Sequence, residues 1–343
     1  VKALEINQSI VDFYRIHDRS QYSYAMFARL DMQSSDPSID IMRSWKEFLS
    51  DDHFPNDIQV RIEAYSRMFR FQRRNKSPVT ERLETLSTAS DWISSEGIIA
   101  LRSNYLYILK AEIILLCDSK MIGKAKEKYD SLIGTYEVDE ITKVTLQSKT
   151  KYSQGHHNEA KELLKELIES IVDYGEVWDV SMVMKDLSDI HKELKEWDEA
   201  KEILRERIEL NRDHGEVKSI SFALKELSDI HKELKEWDEA KEILRERIEL
   251  NRDHGEVKSI SFALKELSDI HKELKEWDEA KEILRERIEL NRDHGEVKSI
   301  SYALKELSDI HKELKEWDEA KEILRERIEL NRDHGEVKSI SFA

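Results

Sequence analysis

Apolar residues recur along the chain at intervals of three and four, the spacing that places side chains on one face of an α-helix. The clearest stripe lies at Ile220, Ala223, Leu224, Leu227, Ile230, His231 and Leu234. A second stripe follows at Ala240, Ile243, Leu244, Ile248 and Leu250. Only three prolines and nine glycines interrupt the 343 residues. The pattern therefore predicts helix nearly throughout the chain.

The pair of stripes repeats with a period of 40 residues. The stretch LSDIHKELKEWDEAKEILRERIELNRDHGEVKSIS recurs letter for letter, beginning at Leu187, Leu227, Leu267 and Leu307. Each unit contains two predicted helices, the second opening at Trp237 and stopping near Gly255, where glycine takes a left-handed cap without strain. A fixed period of this size is typical of a solenoid, in which each unit buries its apolar face against its neighbours.

Weaker copies of the unit begin before the identical part. Two series of small residues mark them: alanine at 160, 200, 240, 280 and 320, and glycine at 175, 215, 255, 295 and 335. We therefore divide the chain into a divergent N-terminal helical region at 1–119, divergent units at 120–180 and near-identical units at 181–343. In the first region the periodicity predicts one helix starting near 36–38, one ending near Arg74, one at 79–95 and an apolar helix at 98–117.

Charge and cysteine content narrow the possible partners and compartment. The net charge of −17 argues against binding to nucleic acid or an anionic membrane, unless a basic patch is segregated elsewhere. The single cysteine, Cys117, excludes an internal disulfide framework and favours a reducing compartment, here the cytoplasm. The apolar run at 98–117 contains Arg102, Lys110 and Glu112, which indicates a buried helix and not a membrane span. Because the sequence starts at Val1 and stops inside a repeat, we expect a piece of a longer protein.

Basic residues concentrate in one stretch, residues 61–76, where they alternate with aromatic residues. Arg67, Arg70 and Arg74 fall on one helix face. They are candidates for anion or RNA binding. The alternative interpretation is a solvated helix face whose aromatic residues pack inward.

The sequence contains no catalytic constellation. Walker loops, HExxH motifs, EF-hand loops and nucleophile elbows are missing, so we predict no enzyme activity, no metal site and no cofactor. One histidine per unit lies on the apolar stripe, at 191, 231, 271 and 311. We interpret these as core histidines and not as metal ligands.

The repeated unit resembles the tetratricopeptide repeat, in its longer variant of about 40 residues. The residues that carry the resemblance are Ala223, Leu224, Leu227, Ser228, Ile230, Trp237, Ala240, Leu244, Ile248 and Leu250, with Gly155 as the turn glycine of the divergent unit. The resemblance implies an all-α fold, a right-handed α-solenoid of stacked antiparallel helix pairs. Two positions depart from the family pattern: His231 replaces the usual tyrosine, and Arg247 replaces the usual alanine. We expect either a looser contact at Arg247 or a side chain whose head reaches water.

In this family the first helices line a concave groove, so the resemblance also implies a recognition surface. The residues that would line it are Phe222, Lys225, Asp229, Lys232, Phe262, Lys265, Asp269, Lys272, Tyr302, Lys305, Asp309 and Lys312. Our first hypothesis is a scaffold that binds a peptide or partner protein through this groove. The groove wall could instead simply be solvated.

Two further expectations concern the context of the array. The chain could be the sensor or arm of a larger signalling NTPase or regulator. The last helix of the array lacks a following unit, so we also expect self-association into a homodimer through that end.

Overall fold

The computed structural model describes residues 25–30, 41–49, 58–95, 103–173 and 175–334, in two compact units that meet between Leu163 and Leu164. All regular secondary structure in these ranges is helical, which confirms the all-α prediction. Within the same ranges, no helix combines the length and apolarity needed to cross a membrane.

The first unit contains six helices after the short helical segment at 25–30. They are α1 (Ile41–Leu49), α2 (Ile58–Arg74), α3 (Val79–Ser95), α4 (Ser103–Asp118), α5 (Ile122–Thr135) and α6 (Glu140–Ser153), followed by α7 (His157–Ile171), which contains the boundary. The predicted helix end at Arg74 and the predicted helix at 79–95 are observed. The predicted helix start at 36–38 lies outside the described residues, as do positions 98–102 of the apolar helix.

Two cores hold the middle of this first unit together. In one, Ile62 of α2, Leu86 and Ile93 of α3 and Ile108 of α4 are almost inaccessible to solvent. In the other, the opposite side of α4 packs on α5 and α6. The most apolar helix of the chain is therefore covered from two sides, as its composition requires.

The second unit is a regular stack of helix pairs. Eight helices of 17 residues alternate as first and second helices, joined by three-residue turns: α8 (Val177–Glu193), α9 (Trp197–Asp213), α10 (Val217–Glu233), α11 (Trp237–Asp253), α12 (Val257–Glu273), α13 (Trp277–Asp293), α14 (Val297–Glu313) and α15 (Trp317–Asp333). From α8 to α15, consecutive helices pack on one another. This sequential packing confirms the α-solenoid.

The second helices α9, α11 and α13 each lie between two first helices, and the small residue of each allows the close approach. Ala240 and Leu244 of α11 are fully buried, and Ile248 is nearly so, against Ile260 and Leu264 of α12. Burying one such leucine stabilises the fold by about 1.5–3 kcal/mol. The alanine series marks the same contact in each unit.

In each repeat, two turn residues have a left-handed backbone conformation. The sequence predicted this conformation for the glycine but not for the lysine. Gly255 has φ +67°, as expected for a helix cap, and Lys235 has φ +58° in the turn between α10 and α11. Lys235 occupies the position that Gly155 fills, with φ +86°, in the divergent unit. Gly175 does not take the left-handed cap predicted for its series. Its constraint is space, because a Cβ there would lie 2.7 Å from the Ile171 carbonyl oxygen.

Candidate functional site

The predicted aromatic row lies on the surface of three successive first helices. Phe222 of α10, Phe262 of α12 and Tyr302 of α14 are 47%, 62% and 64% exposed. Most exposed positions of the solenoid are charged. Large solvent-exposed rings at the same position of these three first helices therefore form an apolar row that no neighbouring helix in the described ranges covers.

The lysine and aspartate rows come together as a repeated clamp beside each ring. Lys225 Nζ donates a hydrogen bond to Asp229 Oδ2 at 2.5 Å. Lys232 Nζ lies 2.6 Å from the other carboxylate oxygen, Asp229 Oδ1. Burial alone would raise the pKa of Asp229, but the two ammonium groups outweigh that effect and hold the pKa below its ordinary value. The carboxylate is therefore ionised at neutral pH, and each clamp keeps one net positive charge.

The same clamp recurs along the array. Asp189, Asp269 and Asp309 have lowered pKa values because of equivalent lysine pairs, although burial opposes the shift in each case. The lysine to aspartate distances are 2.6 Å at Asp269 and 3.1–3.2 Å at Asp309. The structure thus brings all twelve predicted groove residues onto one face, in three equivalent groups.

The expectation that Arg247 packs loosely or reaches water is wrong. Arg247 is only 6% exposed, and its Nη1 donates to Glu266 Oε2 at 3.1 Å, across the boundary to the next repeat. Its Nε donates to Ser221 Oγ at 3.4 Å, and Asn251 Nδ2 donates to the same hydroxyl at 2.9 Å. We call Ser221, Arg247, Asn251 and Glu266 the junction cluster. It explains how the family's small residue can be replaced by a large cation, since a carboxylate from the next unit neutralises the charge.

The junction cluster repeats at the neighbouring boundaries. Arg207 pairs with Ser181 and Glu226, and Arg287 pairs with Ser261 and Glu306, in each case at 3.0–3.3 Å. Burial lowers the pKa of each of these arginines despite the nearby carboxylates, without removing the charge. The sequence did carry a signal for the cluster, because Arg247 interrupts an apolar stripe that Leu244 and Ile248 define.

The core histidines are buried as interpreted. His231 is 4% exposed, and its Nδ1 lies 2.6 Å from Glu236 Oε2 in the turn that follows. The same pair is found at His191, His271 and His311. Each histidine therefore lies beside one carboxylate of the turn that follows it. In the described part of the chain, no group of three or more metal-ligating side chains is found.

First and second helices differ in their distance from their counterparts in the next unit. First helices contact each other, α10 with α12 and α12 with α14, whereas the second helices stay further apart. Cavities of about 300 Å³ and 260 Å³ open between α13 and α15 and between α9 and α11. The aromatic row therefore lies on the side of the solenoid where neighbouring units are closest.

The basic helix α2 carries its charges on the surface, partly neutralised. Glu63 accepts from Arg67 Nε at 2.6 Å and from Arg70 Nη2 at 3.2 Å. The Arg67 guanidinium also lies 4.9 Å from the centre of the Phe27 ring. Arg67, Arg70 and Arg74 together line a surface cavity of about 370 Å³. Since one carboxylate serves two of the three arginines, anion binding at this face stays a prediction.

The last second helix differs from its counterparts in exposure. Trp317 of α15 is 56% exposed, and Leu324 and Ile328 are half-buried where the equivalent Leu284 and Ile288 are buried. Residues 335–343 lie outside the described residues. The homodimer expected through this end stays a prediction.

Sequentially stacked helix hairpins with a buried alanine in each second helix are typical of a repeat protein of the tetratricopeptide type. One family's sequence model matches residues 152–233, 221–273, 258–312 and 273–343, which together cover more than half of the chain. The chain therefore belongs to the family described as anaphase-promoting complex subunit 5, whose repeats are tetratricopeptide-like. Comparison with curated protein sequences gave no match.

Solved structures share the fold at low sequence identity. The apo form of RapI is 10% identical, with a TM-score of 0.54 over 79% of this chain and 77% of RapI. A putative kinesin light chain from Podosopora anserina with nearly identical repeats is 16% identical, with a TM-score of 0.42 over 56% of this chain and 94% of its own. A signal transduction ATPase with a tetratricopeptide repeat sensor, from Pyrococcus horikoshii, is 12% identical, with a TM-score of 0.48 over 96% of this chain and 56% of its own. The likeness to RapI supports the fold alone.

Proposed function

We propose that the chain is an interaction scaffold that binds a peptide segment of a partner protein along its first helices. The repeat fold supports protein interaction as the general role. The observation that carries the finer proposal is the exposed aromatic row of Phe222, Phe262 and Tyr302, each ring beside one aspartate–lysine clamp. Aromatic residues are enriched at the centres of protein interfaces, where a few side chains carry most of the binding energy.

The position of the row suits a groove. First helices of neighbouring units are closer together than second helices, so the stack curves toward the aromatic row and a ligand there can touch several units at once. This geometry supports the concave recognition surface that the family resemblance implies.

The repetition constrains the ligand. Packed helices lie about 8–10 Å apart, so equivalent rings in successive units are separated by roughly that distance. An extended peptide covers it in about three residues at 3.3 Å per residue, and a helix in about seven at 1.5 Å per residue. We therefore expect a ligand with apolar side chains at one of these spacings, and acidic groups that meet the net positive clamps.

Selection from a displayed library of random peptides tests the proposal. Peptides enriched on the full chain are then measured against a variant carrying Phe222→Ser, Phe262→Ser and Tyr302→Ser. We expect the affinity to fall at least about thirtyfold, because the loss of even one aromatic hot spot costs about 2 kcal/mol. Enriched peptides should also show apolar residues at one of the two spacings.

Trp317→Ser is the matched control. Trp317 is 56% exposed, between the 47% of Phe222 and the 62% of Phe262, but it begins the second helix α15 and lies outside the row. Its loss should leave peptide affinity unchanged. Peptides that bind the triple variant as tightly as the unaltered chain would refute the groove.

A further inference from the structure

A second recessed surface lies in the first unit, separate from the aromatic row. A cavity of about 560 Å³ opens between α2, α3 and α4. Its apolar wall comes from Phe69, Leu106, Tyr107, Ile114 and Leu115, with the Phe69 and Tyr107 rings packed edge to face at 6.3 Å. The volume is within the range of about 300–1,000 Å³ that is typical of sites for small organic ligands.

The cavity exists because α4 is apolar on more of its circumference than its neighbours cover. Ile108 and Ile113 are buried in the two cores, but Ile114 remains 36% exposed at the cavity. Covering this exposed apolar side chain with another apolar group would lower the free energy, because both surfaces leave water.

The polar rim of the cavity is positively charged. Arg73, Arg82 and Lys110 line it, and none of them forms an ion pair within the described ranges. Arg82 Nε is buried and has no hydrogen-bond partner there, and Lys110 Nζ donates to the neutral hydroxyl of Thr142 at 3.1 Å. The one acidic lining residue, Asp118, is already paired with Lys149 at 3.1 Å.

We propose that this cavity binds a small amphipathic anion, an aliphatic chain ending in a carboxylate. The chain covers the apolar wall, and the carboxylate accepts hydrogen bonds from the guanidinium groups of Arg82 and Arg73. Three cations that form no ion pair with the described residues surround this apolar wall, so the site has a charge opposite to the net charge of −17 of the whole protein. Arginine suits this role because its planar fork binds a carboxylate in a bidentate geometry.

Isothermal titration calorimetry with decanoate on the full chain tests the proposal. Decanol, which has the same chain without the charge, and acetate, which has the charge without the chain, are the comparison ligands. We expect saturable binding of decanoate below its micellar range and at least tenfold weaker binding of both comparison ligands, because each lacks one half of the match.

Matched variants separate this cavity from other surfaces. Arg73→Gln should weaken decanoate binding about tenfold, the ratio expected when one charge-assisted hydrogen bond is lost. Arg74→Gln, the adjacent exposed residue that does not line this cavity, should leave binding unchanged. Ile114→Gln should weaken binding, and Ile122→Gln, at a position equally exposed at 37%, should not.

Circular dichroism of each variant checks that the helices are retained. Arg82→Gln changes a half-buried residue, so the exposed Arg73 provides the independent test if that variant unfolds. The proposal is overturned if decanol binds as well as decanoate, if the chain binds no decanoate, or if Arg73→Gln and Arg74→Gln have equal effects.

Discussion

The junction cluster makes a quantitative prediction about stability. Arg247→Met keeps an unbranched apolar side chain at this buried position but removes the guanidinium that pairs with Glu266. Removing one partner of a buried ion pair costs about 3–5 kcal/mol, because the other charge stays buried without compensation. Glu266 is 19% exposed and retains Lys232 at 4.0 Å, so we expect a smaller loss of about 2–3 kcal/mol.

The compensating change tests the cause of that loss. With Glu266→Leu added to Arg247→Met, no charge remains to be buried, and apolar replacement of a buried pair is often neutral. We therefore expect the double variant to recover all but about 1 kcal/mol. Glu266→Leu alone leaves the Arg247 charge unpaired and should itself cost about 2 kcal/mol or more, so the coupling energy in the double-mutant cycle should be at least about 3 kcal/mol.

Urea unfolding followed by circular dichroism provides the free energies. Because a solenoid can unfold in steps, hydrogen exchange of α11 and α12 localises the effect. Arg245→Met is the control: Arg245 is exposed, two residues before Arg247, and its change should stay within about 0.5 kcal/mol. A loss below about 1 kcal/mol for Arg247→Met, or simple additivity in the double variant, would refute the reasoning.

Two further predictions concern the turn and the clamp. Lys235→Gly should stabilise the chain by about 0.5–1 kcal/mol in urea unfolding, because glycine removes the left-handed strain at φ +58° and its entropic cost is smaller than that strain. The control Glu242→Gly, within α11, should destabilise the chain by about 1 kcal/mol. A loss of stability in Lys235→Gly would contradict the presence of strain at this residue. Asp229→Asn should remove a stabilising contribution that is fully present above about pH 4 and is lost as the pH falls through the lowered pKa of Asp229 in the folded protein. The stability difference between the unaltered chain and this variant, measured from pH 7 to pH 3, should therefore shrink toward acid pH; a difference that grows would show that the lysines do not stabilise the ionised form.

Local features of the chain were predictable from its sequence. The helix pairs and the buried alanine at Ala240 follow from periodicity within one unit, which depends only on neighbouring residues. The burial of Arg247 depends on Ser221 and Glu266, which come from two other helices, so helical periodicity gives its face but not its partners. Lys235 aligns with Gly155, whose position suggests a left-handed backbone conformation. Lysine rarely adopts that conformation, so the sequence at Lys235 did not indicate it.

The candidate sites show the same division. The exposure of Phe222 follows from its place beside the apolar stripe, and so does the i, i+4 spacing of Lys225 and Asp229. The cavity beside Ile114 was not predictable, because it depends on how much of α4 its neighbours leave uncovered. Its cations lie on three different helices, so no motif in the sequence records them.

Chemical sameness of the boundaries has a mechanical consequence. The clusters around Arg207, Arg247 and Arg287 use the same residue types with nearly the same distances. When such an array is pulled or bent, no one of these three boundaries is the designated weak point, so the place where it first opens is decided by chance. In such an array the equivalent boundaries open independently, and the force at which the first of them opens falls only slightly as repeats are added.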